Sequence, residues 1–225
     1  MLIAVIDTSS AAVTAGVVDV RPEPQGPAGL EVLAERVTIN ERGHGELLAP
    51  SLQGCLAEAA VHPQQLGAVV AGLGPGPYTG LRVGLVTAAV LADLLGIPAY
   101  GVCSLDAIAI SAPGGADLLV AADARRKEVY WAHYDPARVR VRGPEVSRPQ
   151  DVPTEGIGAM AGAGARLFAA ELGLHLLEAD YPGVTGLAHC ASQRVASAAP
   201  TETLTPLYLR RPDAVVNVAS KRVTQ

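Results

Sequence analysis

Two spacings of apolar side chains run along this chain, and they switch at glycines and prolines. Leu2 to Ile6 is a short apolar run stopped by Asp7-Thr8-Ser9-Ser10, and Val13 to Val20 is a second run rich in β-branched residues. Together they predict a β-hairpin. Arg21 to Gly29 holds three prolines and two glycines, a loop leading to a third strand near Glu31 to Ile39. From Gly45 the period lengthens, with Leu48, Leu52, Cys55, Leu56 and Ala59 on one helical face and Pro50 near the first turn, where its missing N–H costs little. Ala68 to Gly72 predicts a buried strand and runs into a glycine- and proline-rich loop that ends at Gly80. The helix predicted over Thr79 to Leu95 is apolar all round, with Arg82 and Asp93 its only charges, so it is expected to be covered on both sides. Gly96-Ile97-Pro98 ends it and Ala99 to Val102 resumes a strand, which makes a parallel strand, helix, strand crossover.

Ser104 is placed to cap a short helix through Ile110, and Pro113-Gly114-Gly115 reads as a boundary between two units, 1–112 and 113–225. Beyond it, Leu118 to Ala122 and Val129 to Tyr134 predict strands, Val139 to Arg142 an edge strand, and Ala165 to Leu172 and Thr185 to Ala198 helices. No internal repeat of fixed period is present.

Composition narrows what such a chain does. It has 225 residues, 49% hydrophobic and 17% charged, enough apolar surface to bury a core without disulfides. Its formal charge of -5 lacks the basic surplus that a stand-alone tRNA or duplex binder uses against phosphates, so contact with nucleic acid is expected only through a partner. Cys55, Cys103 and Cys190 are odd in number and far apart, which implies neither a disulfide framework nor a zinc knuckle and fits a reducing cytoplasm. Met1 to Ile6 lacks the basic start and the length of a signal segment, and no run approaches the roughly 18 apolar residues of a membrane span.

The chemistry in the sequence is sparse. A glycine loop at a helix start offers N–H groups to an anion. Gly72 to Gly80, however, has neither the lysine of a Walker loop nor the third glycine of a dinucleotide loop, and its prolines remove donors. It therefore reads as a structural turn, with Gly74, Gly76 and Gly80 expected at positive φ. Asp7-Thr8-Ser9 at a strand end resembles the first phosphate hairpin of the actin, sugar-kinase and Hsp70 superfamily, and Asp123 the second. Where that superfamily has glycines after the second acid, this chain has Ala124, Arg125 and Arg126, so both hairpins read as vestigial. The five histidines show no metal-binding pair, His44 reads as a turn-shaping residue between two glycines, and no serine sits in a nucleophile elbow.

Several segments together resemble one family: Ala4-Val5-Ile6-Asp7-Thr8-Ser9, His44-Gly45-Glu46-Leu47-Leu48-Ala49-Pro50, the run from Gly72 to Gly84 with its Pro75-Gly76-Pro77-Tyr78-Thr79-Gly80, Asp123 to Tyr130, and Leu207-Tyr208-Leu209-Arg210. They are similar to TsaB, also called YeaZ, the glycoprotease-like subunit of bacterial tRNA threonylcarbamoyladenosine synthesis. The family's usual Ser-Phe is Pro77-Tyr78 here, and its usual Asn before the histidine is Gly43. The resemblance implies an α/β, actin-like (ASKHA, RNase H-like) fold of two lobes, with mixed sheets flanked by helices.

It also implies a cytoplasmic, non-catalytic subunit with no cofactor or metal. Its partners would be the catalytic paralogue TsaD and the ATPase TsaE, or a second copy when the paralogue is absent. It would touch tRNA only through that complex and would touch no membrane. On this reading Leu48, Leu52, Leu81, Leu85, Ala88 and Ala89 are the expected partner face. The alternative is an active ATP-dependent or peptidase-type enzyme of the same superfamily, which would need the phosphate cradle and metal ligands that the motifs above do not spell.

Overall fold

The computed structural model describes residues 1–21 and 29–210; most of the proline-rich Arg21 to Gly29 loop lies outside the described residues. Strand β1 (Leu2–Asp7) is buried from Ile3 onward and pairs antiparallel with β2 (Ala12–Arg21), which pairs in turn with the edge strand β3 (Gly29–Ile39). On the other side of β1 lie β4 (Ala68–Gly72) and β5 (Ala99–Val102), both parallel to it, in the order β3-β2-β1-β4-β5. Parallel strands need a crossover, and the helices α1 (His44–Glu58) and α2 (Tyr78–Leu95) supply it on one face of the sheet. Their Leu48, Leu52, Leu81, Leu85, Ala88 and Ala92 pack with Ala4, Ile6 and Val69.

By length and composition alone α2 is apolar enough to cross a membrane. Gly80, Leu81, Gly84, Leu85, Ala88 and Ala92 instead bury one of its faces in this core. The opposite face is bare. Val86 is 61% exposed, Val90 52% and Leu94 77%, and Ala89 is exposed with them. The expected partner face therefore needs correction, because Leu48, Leu52, Leu81, Leu85 and Ala88 fill the chain's own core and only Ala89 looks outward.

The second sheet runs β10-β9-β6-β7-β8 and is built from β6 (Leu118–Asp123), β7 (Val129–Tyr134), β8 (Arg140–Ser147), β9 (Ala159–Ala161) and β10 (His175–Leu176). Helix α3 (Ser104–Ser111) covers one face and joins the two sheets, since its Leu105, Ile108 and Ala109 pack on Leu118, Val120 and Tyr134 while Ala107 packs under the first sheet. The short helices α4 (Ala163–Leu167) and α5 (Ala169–Leu172) cover the other face. Helix α6 (Val184–Ala196) belongs by position to the C-terminal half, yet its Val184, Leu187, Ala188, Ala191 and Val195 pack against Ile3, Val5 and Val70 of the first sheet.

From α6 the chain returns as a strap across both sheets. The Glu202 N–H donates to the Ala99 carbonyl and the Leu207 N–H to that of Leu73. Tyr208 stacks on Tyr78 with ring centres 4.2 Å apart, and the Arg82 guanidinium lies over both rings. Arg210 donates to the Ala124 carbonyl at 3.0 Å and pairs with Glu128, both in the turn between β6 and β7.

Candidate functional site

A cleft of about 360 Å3 opens between the two sheets, lined among others by Thr8, Ser9, His44, Pro75, Leu105 and Asp123. Both acids singled out in the sequence end strands, Asp123 lining the cleft and Asp7 next in sequence to its lining residues Thr8 and Ser9. What surrounds them decides what they can do.

Asp7 is buried at the end of β1. One carboxyl oxygen accepts from the Ser104 hydroxyl at 2.5 Å, and the other accepts from the Ser9 N–H and hydroxyl, both at 2.8 Å. Gly72 closes the remaining side, since a Cβ there would stand 1.7 Å from the carboxyl. Burial pushes the Asp7 pKa up; the hydrogen bonds from Ser104 and Ser9 and the neighbouring His44 oppose it without cancelling it. Ser104, expected as a helix cap, is committed to this acid and to the Gly74 N–H, and Cys103 takes the capping position without a side-chain bond.

Thr8 is equally occupied. Its hydroxyl donates to the Gly80 carbonyl at 2.7 Å and accepts the Gly84 N–H at 2.8 Å, so the first turns of α2 sit directly on the hairpin. Gly76 lies against the Ser9 carbonyl, where a Cβ would be 1.9 Å from the oxygen. The loop and the start of α2 thus pack directly on the hairpin and occupy the Thr8 hydroxyl, while Thr8 and Ser9 still line the cleft. Of the three glycines expected at positive φ only Gly74 is so placed, at 86°. Gly76 and Gly80 answer instead to close approach, the first by Ser9 and the second by the Thr8 carbonyl. His44 shapes the same corner, its Nε2 within 2.7 Å of the Ser10 carbonyl.

At the second hairpin, Asp123 accepts the Arg125 N–H at 2.7 Å and turns the chain. Arg125, Arg126 and Lys127 then all lie at positive φ, between 55° and 62°, where side-chain-bearing residues pay roughly 1 to 2 kcal/mol each. The Arg125 guanidinium reaches across the cleft to Glu41 at 2.9 Å and also lies 3.4 Å from Asp123. That arginine holds the Glu41 carboxyl below the usual range. A charged bridge therefore spans the cleft at this turn. Among the described residues no group of three or more His, Cys, Asp or Glu is placed to hold a metal ion.

The strap was not legible as a contact, although its Leu207-Tyr208-Leu209-Arg210 carried part of the resemblance. The available signal was compositional: in a chain with 4% aromatics, Tyr78 in the loop and Tyr208 near the end were scarce rings to be matched.

Residues 31–163 match the sequence model of the family described as TsaD, tRNA N6-adenosine threonylcarbamoyltransferase. An uncharacterized protein of Mycobacterium leprae is 46% identical over 95% of this chain and 56% of its own length. The tRNA threonylcarbamoyladenosine biosynthesis protein TsaB of Bacillus subtilis is 34% identical over 60% of this chain and 55% of its own length. The chain spans a little over half the length of these two curated relatives. The solved structure of YeaZ from Pseudomonas aeruginosa superposes with a TM-score of 0.73 at 24% identity, covering 92% of this chain and 100% of that one. The chain belongs to the TsaB/YeaZ family.

Its fold is the α/β, actin-like, two-lobed one of that structure. Within the family frame, the quoted motifs converge on one place. The Asp7 hairpin, the His44 turn, the Gly72 to Gly80 loop and the Asp123 turn all border the cleft, and the C-terminal motif clamps it from outside through Tyr78 and Arg210.

Proposed function

We propose that this chain is a non-catalytic scaffold and activator subunit in the threonylcarbamoyl modification of tRNA at adenosine 37. In this reading it pairs with a catalytic paralogue of the TsaD type, works with the ATPase TsaE, and meets tRNA only within that complex, in the cytoplasm. A second copy of the chain takes the paralogue's place when the paralogue is absent. The role in threonylcarbamoyladenosine biosynthesis is carried over from the name of the Bacillus subtilis relative.

The observation that carries the scaffold reading is the outward face of α2. Val86, Val90 and Leu94 follow one another at four-residue steps along a helix whose other side is already in the core. Fully burying such a side chain stabilises by about 1.5 to 3 kcal/mol, so a row left in water favours a covering partner. The occupied hairpin supports the non-catalytic half, because the Thr8 hydroxyl and both Asp7 oxygens are already committed to Gly80, Gly84, Ser104 and Ser9. The test is sedimentation of the purified chain with its paralogue. The proposal expects a stable complex that Val90→Glu abolishes while the free variant keeps its parent's melting curve. A complex indifferent to Val90→Glu would remove the reading's physical basis.

A further inference from the structure

Where α2 ends, the molecule has a second concavity. An open groove of about 780 Å3 runs between its last turns and segment 198–204, floored by Gly67, Pro98 and Ala99 and walled on the helix side by Ala89, Ala92 and Asp93. Three charged groups border it. The Met1 amine is held by the Val20 carbonyl and Asp19, and Glu202 is held by Arg194 and the Gly101 N–H. The third, Asp93, has no side-chain hydrogen bond or ion pair among the described residues and is exposed.

Asp93 also stands in the wrong place for the free chain. It lies in the last turn of α2, three residues before the left-handed cap Gly96, with no basic residue in that turn. An acid there faces the negative end of the helix dipole and weakens the helix rather than supporting it. A local rule broken without compensation among the described residues points to compensation from a partner. The groove is apolar along its floor and carries on its rim a carboxylate unpaired among the described residues, on the same helix that exposes Val86, Val90 and Leu94.

We propose that this groove docks a segment of the partner protein that carries a lysine or arginine among apolar side chains, with Asp93 as the anchor of that cation. This rests on reading the outward face of α2 as the partner surface, and it adds the charge chemistry that the partner must present. A polyanion such as tRNA is the wrong occupant, because the rim carboxylate repels phosphate.

The experiment measures the dissociation constant of the full-length chain with its purified TsaD-type paralogue at low and high salt, for the parent, Asp93→Asn, Asp93→Glu and Val90→Glu. Loss of the anchor should weaken binding by about 3- to 10-fold at low salt and flatten its salt dependence, whereas Asp93→Glu keeps both. The free Asp93→Asn chain should melt above its parent, since an acid has left the negative end of α2. If Asp93→Asn binds like the parent with the same salt slope while Val90→Glu abolishes binding, the anchor is wrong and the α2 surface stands. If Val90→Glu binds normally as well, the α2 surface has failed and the anchor with it. Tighter binding by Asp93→Asn would mean an anionic occupant and would also overturn the proposal.

Discussion

Replacing Gly76 by alanine is the sharpest test of how the loop closes the hairpin. The added Cβ would lie 1.9 Å from the Ser9 carbonyl oxygen, 2.7 Å from its carbon and 3.0 Å from the Ser9 Cα. The first of these falls about 1 Å short of the 3.0 Å below which real Cβ contacts essentially never lie. All three atoms are backbone, so no side chain can rotate away, and the loop or the hairpin must move. Overpacking of a well-filled interior costs about 1 to 3 kcal/mol. Displacement here also strains the Thr8 bonds to Gly80 and Gly84, which places the expected loss near the upper end, about 3 kcal/mol. For a chain of 225 residues that lowers the melting temperature by roughly 6 to 12 °C.

Gly45→Ala is the matched control, because its Cβ would meet nothing within 4 Å and the position lies in α1. That variant should gain up to about 1 kcal/mol. Urea and thermal melts of the three proteins give the answer. A Gly76→Ala chain as stable as its parent would refute the close-approach reasoning, and one that is stable but loses a specific ligand would make the loop a binding site.

Two further predictions concern buried titratable groups. The folded pKa of Asp7 lies above its ordinary value of 3.8, so the native chain holds that proton where the unfolded chain has released it. The resulting stability is full below the unfolded value and is lost as pH rises through the folded one. Asp7→Asn cannot ionise, so the stability of the variant relative to its parent should grow with pH over that window and then level off; parallel urea profiles would contradict it. Burial pushes the Cys103 thiol up to about 11 and the Cys190 thiol up to about 12, so both should react slowly with a disulfide reagent in the native chain and rapidly in urea. Equal rates in the two states would show that one of them is accessible.

Much of the first lobe is legible in the sequence because each element there obeys a single local rule. The strands β1, β2, β4 and β5 are short apolar runs bounded by breakers, and α1 shows a clean helical stripe. Helix α2 is legible as an element but its orientation is not read correctly, because a helix apolar all round has no polar face to set its phase. The phase was nonetheless written in Gly80 and Gly84, one turn apart, which mark the side that touches Thr8.

In the second lobe, β8 continues past Gly143-Pro144 to Ser147, where periodicity suggests an end at Arg142. Strands β9 and β10 are too short, at three and two residues, to carry a pattern. The site was legible in its motifs and illegible in its contacts. Ser104 to Asp7, Arg125 to Glu41 and Arg210 to Glu128 each join residues more than 80 positions apart, and no local rule reaches that far.

The measurement that bears most directly on the proposed scaffold role is threonylcarbamoylation of tRNA by a purified TsaD-type paralogue and a TsaE-type ATPase, the proposed partners, with and without this chain. The account predicts little product without the chain, full product with it, and loss of product with Leu94→Glu, whose free form should fold as the parent does because Leu94 is 77% exposed. Full product from the paralogue and ATPase alone, or undiminished product with Leu94→Glu, would contradict it.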